Sequence, residues 1–177
     1  MILSKGVVLL RKVVRAIDLF NLWLGSLVRW FSVLLVLIGV LGVFKRYALR
    51  VSTAWEYELI MMSGAAMYVL SWGYVLLKNA HARVDVLYSR FSPRGRSLLD
   101  AIFCLVLFFP LIGFMVLTSY DWMVFSISIN ERSAVTYVYP PLYPLRMVVF
   151  FGFLAFFLQG VSFFLKKVHH VLRGEEL

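Results

Sequence analysis

Residues that carry chemistry are scarce in this chain. It has one cysteine and three histidines among 177 residues. The single thiol, Cys104, cannot close an internal disulfide, which excludes thiol–disulfide relay chemistry, and its place inside an apolar run suits inert packing. His81, His169 and His170 all lie outside the apolar runs, so no histidine pair projects inward to hold a haem. His169 and His170 are neighbours, and neighbours on a helix point about 100° apart; they read as part of a solvated tail, not as a metal pair. Only nine residues are acidic, and none occupies the middle of an apolar run. That removes the usual intramembrane carriers of protons and ions. Phosphate-cradling glycine loops, nucleophile triads and zinc spacings are absent. The sequence gives an enzyme little to work with, and it implies no cofactor and no metal.

What is present is hydrocarbon. Apolar residues make up 62% of the chain and charged ones 15%, far from the soluble average. Four long apolar stretches run through Trp30–Phe44, Leu59–Leu77, Ala101–Leu117 and Met147–Leu165. About 20 helical residues cross the bilayer core, and backbone in lipid must satisfy its own hydrogen bonds. The expected fold is therefore an all-α integral membrane protein with four transmembrane helices. One membrane domain covers 1–177, with spans at about 27–48, 57–78, 97–122 and 145–166 and a charged tail over 167–177. The first apolar stretch reads as a retained anchor, since no small-residue cleavage site follows it.

Two further helices are expected. In 5–23, Lys5, Arg11, Lys12, Arg15 and Asp18 fall on one face and Val7, Leu10, Val14 and Ile17 on the other. This suits an amphipathic helix in the membrane interface; the alternative is a plain extension of the first span. Between spans two and three, Val84, Leu87, Tyr88 and Phe91 recur at helical spacing. They indicate a short cytoplasmic surface helix that stops around Ser92-Pro93, with the third helix starting near Ser97. Pro110 and Gly113 are candidates to bend that third helix. Ser63, Gly64, Ala65, Ala66, Ser71 and Gly73 mark a packing face on the second. Phe108, Phe109, Phe150, Phe151, Phe156 and Phe157 suit a lipid-facing surface, a subunit-facing surface or ordinary helix packing.

The excess of eighteen Lys and Arg over nine acids, a net charge of +9, collects at the ends of the apolar runs, where anionic head groups attract it. No basic stripe tracks phosphates, so nucleic acid is not an expected partner. Thirteen of the eighteen, Arg29 among them, fall in the N-terminal segment, the middle connection and the tail. The positive-inside rule then predicts cytoplasmic N- and C-termini. Gln159 and the serines read as the only polar groups at depth, where a single amide more often bridges helices than binds solute.

Several strings occur in a telling order: Lys45-Arg46-Tyr47, Trp55-Glu56-Tyr57-Glu58, His81-Ala82-Arg83-Val84-Asp85, Asn130-Glu131-Arg132-Ser133 and Gln159-Gly160. Together with the four spans, they resemble the small membrane subunit, DctQ type, of tripartite ATP-independent periplasmic (TRAP) transporters. The resemblance implies a scaffold in the bacterial or archaeal inner membrane. It implies two partners beyond the lipid bilayer: a large membrane subunit and a periplasmic substrate-binding protein. That large subunit would hold the sites for solute and coupling ion, usually sodium, and move elevator-fashion during uptake of an organic acid or similar solute. The tail suggests the separate, unfused form. The resemblance singles out Arg46, Trp55, Glu56, Glu58, His81, Arg83, Asp85, Glu131, Ser133 and Gln159 as structural or partner-contact residues. Arg83 and Asp85 would orient the surface helix. Glu131 and Ser133 would either cap the approach to the fourth span or touch the binding protein. Rival readings are a self-sufficient homo-oligomeric transporter or channel, and a membrane anchor for a redox enzyme.

Overall fold

The computed structural model describes residues 2–78 and 91–175, with side chains from Val7 onward. Helix α1 (Ile2–Tyr47) is 46 residues long, about 69 Å of rise. It contains no proline, and no break separates 5–23 from the remainder of the helix. The expected interfacial helix is thus continuous with the first span, the alternative that the sequence left open. A strict repeat explains the continuity. Val7, Leu10, Val14, Ile17, Asn21, Leu24, Val28, Phe31, Leu35, Ile38, Gly42 and Lys45 are each buried or half-buried. They alternate three and four apart, the 3.5-residue period of a left-handed packing seam. The apolar face of 5–23 extends this seam, and Val14 is only 5% exposed.

A reversal through Arg50, at φ 54°, leads to α2 (Ala54–Leu77). The expected surface helix, with His81, Arg83 and Asp85, lies outside the described residues. Helix α3 (Pro93–Phe103) begins four residues before its expected start near Ser97. The Ser92 side chain accepts the Gly95 N–H at 3.2 Å, and Pro93 fills the first helical position, where a missing N–H costs nothing. A π-helical turn, Cys104–Phe108, joins α3 to α4 (Phe109–Ser128). Pro110 has no N–H, and its ring presses on the carbonyl four residues earlier. The wider turn, in which the Phe109 N–H donates to the Cys104 carbonyl, absorbs that mismatch. After a loop, α5 (Tyr143–Arg173) runs to Gly174, whose φ of 73° ends it in the left-handed region.

Among the described residues, four helical stretches are long and apolar enough to cross a membrane: Val7–Tyr47, Ala54–Leu77, Pro93–Ser128 and Tyr143–Arg173. This is a multi-pass membrane protein. Helix α5 is the hub, packed against α1, α2, α3 and α4, while α1 also packs on α2. Leu24, Val28 and Ala155 form the buried cluster, with Met67 and Leu70 against it. Close approach depends on missing side chains. A Cβ at Gly73 would lie 2.0 Å from Asn21 Oδ1, and one at Gly160 would lie 2.0 Å from the Phe108 ring. Phenylalanines join α4 to α5: Phe109 meets Phe157 at 5.4 Å and Phe164 at 5.7 Å between ring centroids. Phe108 meets Phe156 at 5.0 Å.

Candidate functional site

Polar contacts concentrate at the two ends of the bundle. At the end that carries the α1–α2 and α4–α5 connections, three clasps stand in sequence. Lys45, in the last turn of α1, pairs with Glu56 of α2 at 2.5 Å. Two residues further along α2, Glu58 is 3% exposed and faces the loop instead. It accepts the Ser133 hydroxyl at 2.9 Å, the Thr136 N–H at 3.1 Å and the Thr136 hydroxyl at 2.8 Å. A buried carboxylate is tolerated when donors fill its lone pairs, and this loop supplies them.

The third clasp closes the loop on α5. Glu131 pairs with Arg146 at 3.2 Å, and the guanidinium sits 5.0 Å from the Trp122 ring of α4. The loop backbone is tied across its own width: the Ser133 N–H donates to Pro140 O and the Leu142 N–H to Glu131 O, both at 2.8 Å. The Arg146 guanidinium beside Glu131, helped by the Ser126 hydroxyl, holds its carboxyl below the usual 4.5 against the opposing effect of burial.

At the opposite end, where the chain begins and finishes, Asp18 of α1 gathers three side chains of α5. Gln159 donates to Oδ1 at 2.9 Å, Ser162 to the same oxygen at 2.7 Å, and Lys166 meets Oδ2 at 2.5 Å. Lys167 pairs with Asp100 of α3 at 2.7 Å, and Ser97 lies 3.0 Å from His170 Nδ1. His169 reaches the Glu175 carbonyl. The two histidines therefore point to different partners. Among the described residues no three His, Cys, Asp or Glu side chains converge as a metal site would require.

The structure brings Glu56, Glu58, Glu131 and Ser133 to one end and places Gln159, 1% exposed, in a bridge between α5 and α1. Ser133 is 4% exposed, so its hydroxyl is committed to Glu58 and does not present itself to a soluble protein. Trp55 is 53% exposed and Arg46 is exposed on the last turn of α1; neither joins the clasps. His81, Arg83 and Asp85 lie outside the described residues. Sequence reasoning missed Lys45, Thr136 and Arg146 on one end and Asp18 and Lys166 on the other. A signal existed for Asp18, the sole acid among the first 55 residues.

Chemically, these groups fasten helices to one another and to the loop. Between the two ends, the surface grooves along α4 and α5 are apolar. One, of about 420 Å³, is lined by residues such as Leu107, Phe108 and Phe156; another, of about 440 Å³, by Phe114, Met115 and Phe153. They suit apolar side chains or acyl chains. The family described as tripartite ATP-independent periplasmic transporters, DctQ component, matches residues 35–170. No curated protein and no solved structure matches the chain.

Proposed function

Because this chain belongs to the DctQ component family of tripartite ATP-independent periplasmic transporters, we propose that it is the fixed membrane scaffold of such a transporter. It packs against a large membrane subunit that moves solute and coupling ion, and a periplasmic binding protein delivers the solute, an organic acid or a similar compound. The single observation that carries this reading is the use made of the polar groups where α1 meets α5. Gln159 and Ser162 both donate to Asp18 across the α1–α5 seam. A solute path needs polar groups that face an opening, whereas a scaffold needs them closed.

In this reading the end that bears Asp18, Lys166 and Lys167 faces the cytoplasm, in keeping with the positive-inside rule. The Glu58 clasp then faces the periplasm, and the protein resides in the inner membrane. The first turns of α1 extend past the C-terminal end of α2, where Arg11, Lys12 and Arg15 meet anionic head groups. The motif residues Glu56, Glu58, Glu131, Ser133 and Gln159 act structurally; of the described motif residues, Trp55 and Arg46 are the ones exposed for partner contact.

The test is copurification in mild detergent from native membranes, with proteoliposomes of the chain alone as the counterpart. Recovery of a large polytopic protein, together with no flux in the isolated chain, is the expected result. Solute flux through the chain alone would overturn the scaffold and favour the self-sufficient transporter.

A further inference from the structure

Arg29 occupies a costly position. The sequence alone sets it at the start of the first span, where it would reach the head groups. The structure sets it alongside the body of α2. Nearby Gly25 lies under the Tyr74 ring near the end of α2, and Gly42 meets Glu56 at its beginning. Arg29 therefore falls inside the stretch that α1 shares with a membrane-crossing helix. Measured between the charged pairs at the two ends, it is about 16 Å of rise from Asp18 and about 24 Å from Lys45. For a hydrocarbon core about 30 Å thick centred between those pairs, its Cα falls roughly 4 Å from the middle.

It also faces outward. Arg29 is exposed, off the seam formed by Leu24, Val28 and Phe31. Its Nε donates to the Ser26 carbonyl at 3.0 Å, and a terminal nitrogen meets the Ser26 hydroxyl. Among the described residues these are its partners, both neutral and both one turn away on its own helix. On that placement, bending back by one turn keeps the guanidinium inside the hydrocarbon. Intramembrane arginines face a bundle interior, a wet cavity or an acidic partner; among the described residues Arg29 has none of these. The carboxylates towards either end of α1, Asp18 and Glu56, are engaged by Lys166 and Lys45.

Resting on the scaffold reading above, we propose that the outer face of α1 around Arg29 is the surface that receives a transmembrane helix of the large subunit, and that this helix carries a carboxylate opposite the guanidinium. The face offers donors: the five N–H groups of Arg29 and the indole of Trp30, which is 66% exposed. It offers no carboxylate in return, so its complement is acidic. A second copy of the chain does not fit. A two-fold contact through this face would set Arg29 against Arg29 in a low dielectric.

The test uses membranes from cells that make all three components. A p-benzoylphenylalanine at Val33, 47% exposed and one turn beyond Arg29, is irradiated and its adducts are identified. An adduct with the large subunit supports the proposal; adducts with a second copy or with lipid alone overturn it. In parallel, Arg29→Met should reduce recovery of the large subunit on the tagged chain at least about tenfold, with Arg29→Lys in between. Equal or better recovery with Arg29→Met would mean that the charge only reaches for head groups, and would overturn the face while leaving the scaffold role intact. If the unsubstituted chain recovers no large subunit at all, the scaffold role falls and this surface assignment falls with it.

Discussion

The hydroxyl of Ser133 stands 3.0 and 2.9 Å from the two carboxylate oxygens of Glu58, a residue 75 positions earlier. Thr136 adds its N–H and its hydroxyl to the same carboxylate. The loop between α4 and α5 thereby hangs from a side chain of α2, an element it does not follow in sequence. Loops at a membrane surface have little apolar surface to bury, so a buried acceptor takes the place of a core. The rest of the loop then closes on α5 through Glu131 and Arg146.

If Glu58 organises the loop, Glu58→Ala should leave Ser133 and Thr136 with unfilled donors in a dry site. The expected cost is about 3 kcal/mol, since hydrogen bonds to a charged group contribute about 1.5–3 kcal/mol each and part of the loss is recovered by relaxation. Glu58→Gln, which keeps an acceptor, should cost roughly a third of that. Thermal unfolding in detergent measures the sum. Limited proteolysis separates the cause, because in Glu58→Ala the segment around Ser133–Tyr139 should be cut before the helices melt. Cleavage unchanged from the parent would show that the loop holds without its carboxylate.

The Glu131–Arg146 clasp carries a pH dependence with a defined sign. The folded-state pKa of Glu131 lies below the usual 4.5, so the unfolded chain binds the proton more readily. The stabilisation is present above about pH 4.5 and is lost as the pH falls through the lower, folded value. Its size is modest because the pair is partly exposed to solvent. Melting curves of the parent and Glu131→Gln should therefore differ at neutral pH and converge under acid. A gap that widened on acidification would reverse the sign and remove Glu131 as the cause.

The helices themselves were legible because the bilayer imposes length and apolarity on any stretch that crosses it. Ala54–Leu77 and Tyr143–Arg173 are the elements that the apolar runs describe. The start of α3 was misplaced because Ser92-Pro93 serves equally well as a stop for one helix and as the cap and first residue of the next. The π turn left no trace, since one extra residue in a uniformly apolar run changes no pattern. Among the clasps, Gln159 stood out as an amide at depth. Its partner Asp18 did not, because 141 residues separate them and only tertiary register brings them level. The level of Arg29 along α2 was hidden for the same reason: it depends on how the two helices lie against each other.

Asp18 and Lys166 should be energetically coupled. Either Asp18→Asn or Lys166→Met leaves one member of the pair at the edge of the hydrocarbon, while the double variant leaves neither. In a double-mutant cycle of unfolding free energies the coupling should be on the order of 1 kcal/mol, limited by the partial exposure of both side chains. Gln159→Leu should act through the same carboxylate and so be non-additive with Asp18→Asn. Strict additivity in both cycles would dissolve the cluster into independent contacts.

Glycines in the spans should divide by what stands opposite them. At Gly160 an added methyl would meet the Phe108 ring at 2.0 Å, and at Gly73 it would meet Asn21 Oδ1 at the same distance. Asn21 is fully buried and its amide already donates to the Ile17 carbonyl, so it has little room to withdraw. Each Gly→Ala change there should cost about 1–3 kcal/mol, the usual penalty for overpacking. Gly64, also in α2, has nothing within 4 Å of such a methyl. Gly64→Ala should be neutral or stabilising by up to about 1 kcal/mol, because alanine is the better helix former. Measured on the isolated chain in detergent, the three variants test the α1–α2–α5 packing directly. A destabilised Gly64→Ala beside a tolerant Gly73→Ala would require α2 to be rotated about its axis.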